Sequence, residues 1–197
     1  YTATLAPGDS VTLEKYVAYA CSEPGDGSTD ATLLDLAAAA LQQALDEPFE
    51  QHLALQATAC ADYWRSVDLA IDGDPATEQA LRVNLFHLRQ STAADGRGSA
   101  AAKSLTGEGY EGHYFWDAEA FVLPALACLA PELARGMLDY RIHKLDRARA
   151  HAREMNHARG ALYPWRTISG DECSAYFPSG SAQYHINAAI AFALQRY

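Results

Sequence analysis

From Thr29 onward the apolar residues recur every three or four positions, and only two long segments rich in glycine and aromatic residues interrupt that rhythm. A period near 3.6 is the mark of the amphipathic helix, so most of this chain has to pack helix on helix. Leu33, Leu36, Ala37, Ala40, Leu41 and Ala44 share one face, after the loop "CSEPGDGSTD" that ends on Thr29 or Asp30 as a helix cap. The same spacing predicts a helix from Pro48 to about Ser66 through Leu53, Leu55 and Trp64. It predicts another from Pro75 to about Thr92 through Leu81, Leu85, Phe86 and Leu88. A helix from about Asp117 should kink at Pro124, which lacks a backbone donor. Helix then runs from Pro131 to Arg159, as one bent rod or two, and a last helix starts near His185. Only the beginning breaks the rule. Thr2 to Leu5 and Val11 to Cys21 alternate β-branched or aromatic with polar residues around "APGDS", which predicts strand, turn, strand.

With 197 residues, 49% of them hydrophobic, the chain can bury one substantial core, or one core and a short flanking piece. A net charge of -10 argues against a phosphate-backbone partner, because nucleic-acid domains gather Lys and Arg on one face. Cys21, Cys60, Cys128 and Cys173 are scattered singly, so reduced, buried thiols are expected rather than a zinc site or a redox couple. There is no charged-then-apolar leader and no apolar run long enough to cross a bilayer, which points to the cytoplasm and away from a membrane.

The chemistry concentrates in the two interruptions. In "GHYFWDAEAF", residues 112 to 121, Asp117 and Glu119 would lie about 200° apart on a helix, so one faces a pocket and the other is structural. "YPWRTISGDE", from Tyr163 to Glu172, repeats the theme with Trp165, Arg166 and two acids in an irregular stretch. Indole faces stack on the apolar faces of sugars, and carboxylates and planar polar groups grip vicinal hydroxyls. The alternatives are plainer: Asp117 as an N-cap beside a buried Trp116, and Trp165 as a core plug with Arg166 paired to Asp171 or Glu172. His113 and Asp117 have i, i+4 spacing without an obvious third ligand, so no metal is expected. His185 could cap a helix or contact a ligand, or be a hydrogen-bonded core residue. "GEGYEG" has the wrong spacing for a dinucleotide fingerprint, and no Walker lysine follows.

The runs "LTGEGYEGHYFWDAEAFVLP", "YRIHKLDRARAHA", "GALYPWRTISGDE" and "GSAQYHINAAIAFAL" together resemble glycoside hydrolase family 65, the maltose, trehalose and kojibiose phosphorylases and related trehalases. The resemblance implies a mainly α chain: residues 1–27 as the last strands of an N-terminal β-sandwich, 28–67 as a helical linker and 68–197 as the first part of an (α/α)6 barrel. It implies inverting cleavage of an α-glucoside in a glucose disaccharide, with inorganic phosphate as co-substrate in a phosphorylase, water in a hydrolase, and no other cofactor. Trp116 and Asp117 would line the subsite of the glucose whose anomeric bond breaks. Trp165 and Arg166 would border it toward the acceptor sugar, with His113, Glu172 and His185 as further contacts. The general-acid Glu would lie beyond Tyr197, so these residues alone should not turn over sugar. The exposed inner faces of a partial barrel would drive association, a homo-oligomer among the options, or need a partner chain. Ala118, Ser104 and Ala189 depart from the family's usual Thr, Gly and Asp. Two rivals remain: a noncatalytic carbohydrate-binding remnant, and a terpene-cyclase-like helical scaffold, for which no D-x-D-D or D-D-x-x-D run is present.

Overall fold

The computed structural model describes residues 2–22, 27–67, 69–92, 94–105 and 107–197, which divide into two compact units, Tyr1–Tyr63 and Trp64–Tyr197. The centre of the loop expected between Cys21 and Asp30 lies outside the described residues, as do Ala93 and Thr106 in the first glycine-rich interruption.

In the first unit, helix α1 spans Asp30–Leu45 and α2 begins at Phe49, running to Val67. Thr29 starts α1 because its hydroxyl accepts from the Thr32 N–H at 3.2 Å, while the Thr32 hydroxyl accepts from the Thr29 N–H at 2.8 Å. Two orphan donors are satisfied reciprocally, a capping box built from two threonines. The half-buried stripe is Leu33, Ala37, Leu41 and Ala44, narrower than the spacing predicts; Leu36 and Ala40 face outward. The two strands expected before Cys21 are a correction. Residues 7 and 8 do turn, with the Asp9 N–H on the Ala6 carbonyl at 3.0 Å, but no ladder flanks the turn among the described residues. Alternation makes a strand only when a neighbouring strand takes up its backbone groups, and here Val11, Leu13 and Tyr19 remain exposed.

The second unit holds the core. Helix α3 (Pro75–Gln90) is capped by the Asp74 carboxylate, which accepts from the Thr77 N–H at 3.1 Å, and carries Pro75 in its first turn where no donor is needed. After the first interruption the chain does not enter an α-helix at Asp117 directly. It makes a π turn over Ala118–Val122, closed by the Leu123 N–H on the Ala118 carbonyl five residues back, and then α4 (Leu123–Leu129). Pro124 therefore falls in the first turn of a new helix instead of kinking an old one. The expected rod from Pro131 is two helices, α5 (Pro131–His143) and α6 (Leu145–Glu154), with the junction at Lys144. The second stops short of Arg159 because Asn156 turns left-handed (φ 62°), and the His157 N–H closes on the Ala152 carbonyl at 2.9 Å. Helix α7 spans His185–Arg196. Helices α4, α5 and α7 pack together with the π turn, around Leu123, Leu126, Leu133, Met137 and Ile186. The cysteines are free thiols as expected but not buried: Cys21, Cys128 and Cys173 are exposed and Cys60 is half-buried. No described helix is long and apolar enough to cross a membrane.

Candidate functional site

Two backbone hydrogen bonds bring the interruptions together. Tyr114 and Thr167 form an isolated antiparallel bridge, N–H to carbonyl at 2.8 Å one way and 3.2 Å the other. Since the bridge sits two residues before Trp116 and two after Trp165, it sets both indoles on one side of the second unit. The Phe115 ring joins Trp165 to Tyr110, 5.5 Å from the former and 5.2 Å from the latter, edge to face in both cases.

A cleft of about 300 Å³ opens here, lined by Trp116, Asp117 and Trp165 with Phe115, Tyr110 and Lys103. That is the low end of the range for small-ligand sites, and its lining mixes aromatic rings with the polar ends of Lys103, Tyr110 and Asp117. Each wall is braced from behind. The Trp116 ring meets His185 edge-on at 5.1 Å and 89°, with Phe121 at 5.8 Å. Trp165 is fixed through its backbone, because its N–H donates to one Glu172 oxygen at 2.5 Å while the other accepts from the Ser174 N–H at 2.7 Å.

The acids two residues apart have opposite fates. Asp117 is exposed on the cleft and, although it precedes the π turn, its side chain makes no capping hydrogen bond. Glu119 is fully buried and receives Arg141 Nε at 2.7 Å and Nη2 at 2.9 Å. The N-cap alternative for Asp117 is thus not realised.

The remaining residues singled out in the sequence stand around the cleft rather than in its wall. Arg166 does not pair with Asp171 or Glu172; its Nη2 reaches Glu111 at 2.9 Å, and Asp171 is taken by Arg147. Arg166 Nη2 also approaches His113 Nδ1 at 3.3 Å, but that nitrogen lies 2.8 Å from the Tyr110 carbonyl and must donate there, so it cannot accept from the guanidinium. Glu172, besides clamping Trp165, lines a separate cavity of about 380 Å³ with Arg147, His151 and Phe177. His185 opens α7 and braces Trp116 from behind without itself lining the cleft. Although Cys173 is exposed as a residue, partial burial of its sulfur first, and then the Glu172 carboxylate, push the thiol above its ordinary pKa. Among the described residues, no three of His, Cys, Asp or Glu gather as a metal would require.

Lys103, Tyr110 and Phe115 were not singled out by the sequence. The signal lay in "GEGYEG": a Cβ on Gly107 would stand 2.5 Å from Lys103 Cβ, and one on Gly109 3.2 Å from Lys103 Cγ. The two glycines are bare so that this loop can wrap the lysine stem. Tyr110 and Glu111 are left-handed without being glycine (φ 63° and 53°), a strain offset nearby by the Tyr110–Phe115 ring contact and the Glu111–Arg166 pair.

Comparison with known proteins places this chain in a wider group. The Glycosyl hydrolase family 65 central catalytic domain matches residues 82–197. An alpha,alpha-trehalose phosphorylase of Thermoanaerobacter brockii is 47% identical over 96% of this chain and 24% of its own length. A kojibiose phosphorylase of the same organism is 33% identical over 95% of this chain and 25% of its own. A solved structure described as a candidate kojibiose phosphorylase from the human microbiome superposes with a TM-score of 0.78 at 28% identity, covering 87% of this chain and 24% of that one. The chain thus spans about a quarter of the length of the relatives it matches. A family match over more than half the chain, reached by a helical fold with four family motifs in order, leaves one conclusion: this chain belongs to glycoside hydrolase family 65.

Proposed function

We propose that residues 68–197 are the opening part of an (α/α)6 barrel and supply the donor-glucose wall of an inverting disaccharide phosphorylase. One observation carries the reading: Trp116, Asp117 and Trp165, drawn from two distant loops, line one cleft. An indole floor takes the apolar face of a pyranose, while the exposed Asp117 carboxylate accepts from hydroxyls at its rim. Lys103 gives the same cleft a cation and three donors. Arg166, at the lip and tied to Glu111, borders the acceptor side, with His113 beside it.

The chemistry is attack by phosphate on the anomeric carbon from the face opposite the bond that breaks, with a protonated acid assisting departure of the acceptor oxygen. Inverting geometry keeps the acid and the attacking phosphate on opposite faces of the sugar ring. Asp117 is the one carboxylate among the described residues lining the cleft. The resemblance to family 65 implies that the acid, like the phosphate site, comes from outside residues 1–197. Between the two phosphorylases of one organism, 47% identity to the trehalose enzyme against 33% to the kojibiose enzyme favours trehalose as the first substrate to test.

The test has two arms. Calorimetric titration of the chain with glucose should show binding that Trp116→Ala abolishes; no binding to the parent chain sinks the cleft assignment. Trehalose, kojibiose and maltose incubated with and without phosphate should release no sugar from residues 1–197 alone. Robust turnover there would overturn the division of labour. Glucose binding without turnover by any longer form that contains these residues would favour the carbohydrate-binding remnant instead.

A further inference from the structure

Tyr140 and Arg141, consecutive in α5, are 0% and 2% exposed, and neither lines the cleft. Between them they reach both site loops on both sides. On the first loop, the Tyr140 ring meets that of Tyr114 at 5.3 Å and 86°, two residues before Trp116. Arg141 holds Glu119 bidentately, two residues after Asp117, and the Glu119 N–H itself donates to the Trp116 carbonyl at 3.1 Å. On the second loop, the Tyr163 hydroxyl donates to the Arg141 carbonyl at 3.1 Å, two residues before Trp165. The Tyr140 hydroxyl donates to the Ile168 carbonyl at 2.7 Å, three residues after it.

We infer that Tyr140 and Arg141 form a positioning hub, which sets the spacing and tilt of Trp116 and Asp117 against Trp165 and so the affinity for a glucose ring. The inference rests on the glucose-cleft reading above. Stability alone is a poor account of the hub. A buried ion pair roughly breaks even with apolar residues of the same volume, and Arg141 Nη1 is buried with no hydrogen-bond partner. What a bidentate guanidinium–carboxylate pair does supply is direction, since two parallel bonds fix both the distance and the plane of the partner. Glu119, so fixed, orients the π turn that starts at Ala118, and with it the two residues just before. Tyr163 and Ile168 flank the Trp165 segment in the same way. A shift of α5 would therefore move both walls, and a change at either tyrosine hydroxyl would move only the second.

A double-mutant cycle on glucose affinity tests this, read by saturation-transfer NMR, which reaches weak binding. Tyr163→Phe removes only the hydroxyl that meets the Arg141 carbonyl. It should weaken glucose about five- to tenfold, the scale of one neutral hydrogen bond, with the chain still folded. In a Trp165→Ala background the same change should matter less than about twofold, because the ring it aims is gone. Unchanged affinity in Tyr163→Phe, or an equal loss in both backgrounds, overturns the hub. Should Tyr163→Phe fail to fold, Tyr140→Phe runs the same cycle through the Ile168 carbonyl, with the same two outcomes. A parent chain that binds no glucose, or a Trp165→Ala chain that binds as well as the parent, sinks instead the cleft reading on which the hub rests.

Discussion

Helices α1 and α5 draw on similar residues, leucine, alanine and a few charges, yet α1 buries none of its residues while α5 buries seven. Leu34 and Leu36 of α1 are 70% and 61% exposed; Leu133 and Met137 of α5 are 2% and 0%. The first helix is held by what lies within it and at its start, the threonine capping box. The second is held by what surrounds it. That difference places the candidate site. Two indoles can be kept at a fixed separation only if something rigid stands behind them, and α5, together with α4 and α7, supplies that backing.

The comparison can be broken most directly in the core. Leu126→Ala, at 1% exposure between packed helices, should lower the stability of the second unit by about 2–5 kcal/mol in denaturant melting, whereas Leu36→Ala should change it by less than about 0.5 kcal/mol. Equal losses would mean that both units are packed alike. At the site, Asp117→Ala should weaken glucose binding about 10- to 100-fold, as expected for a hydrogen bond to a charged group, and leave the melting temperature unmoved because the carboxylate caps nothing. An intact affinity with a loss of about 1 kcal/mol in stability would restore the capping role. Thr29→Ala should remove about 1 kcal/mol from α1, seen as faster amide exchange in its first turns with none in α5. The smallest effect concerns Cys173. A thiol pushed up by burial and by Glu172 holds less thiolate at pH 8, so alkylation should run slower than for free cysteine and rise only as the pH climbs further. A rate faster than free cysteine would contradict that upward shift.

Several helix starts were legible from local chemistry: Thr29, Pro75 and Pro131 all open helices where the sequence places them. The strands around "APGDS" were not, because alternation states a preference and a ladder needs a partner. The π turn escaped for a related reason. Nothing in "FWDAEAFVLP" distinguishes a five-residue turn from a four-residue one until Pro124 has to fall where its missing donor is harmless. Within the site, the opposed fates of Asp117 and Glu119 followed from helical spacing, although which would be buried did not. That choice belongs to Arg141, 22 residues further on. Lys103 stayed invisible because a lone lysine in a loop carries no pattern; only the glycines packed on its stem betray it.

By itself, then, the sequence determined that helices dominate, where several of them begin and that two aromatic loops carry the polar chemistry, since caps, prolines and periodicity act through neighbours in the chain. Only the tertiary structure decided that the loops share one cleft, through a two-residue bridge at Tyr114 and Thr167 and a buried hub on α5. The physical reason is distance along the chain. Bonds between residues 20 to 55 positions apart depend on how the helices pack, and that packing is a property of the whole core rather than of any segment within it.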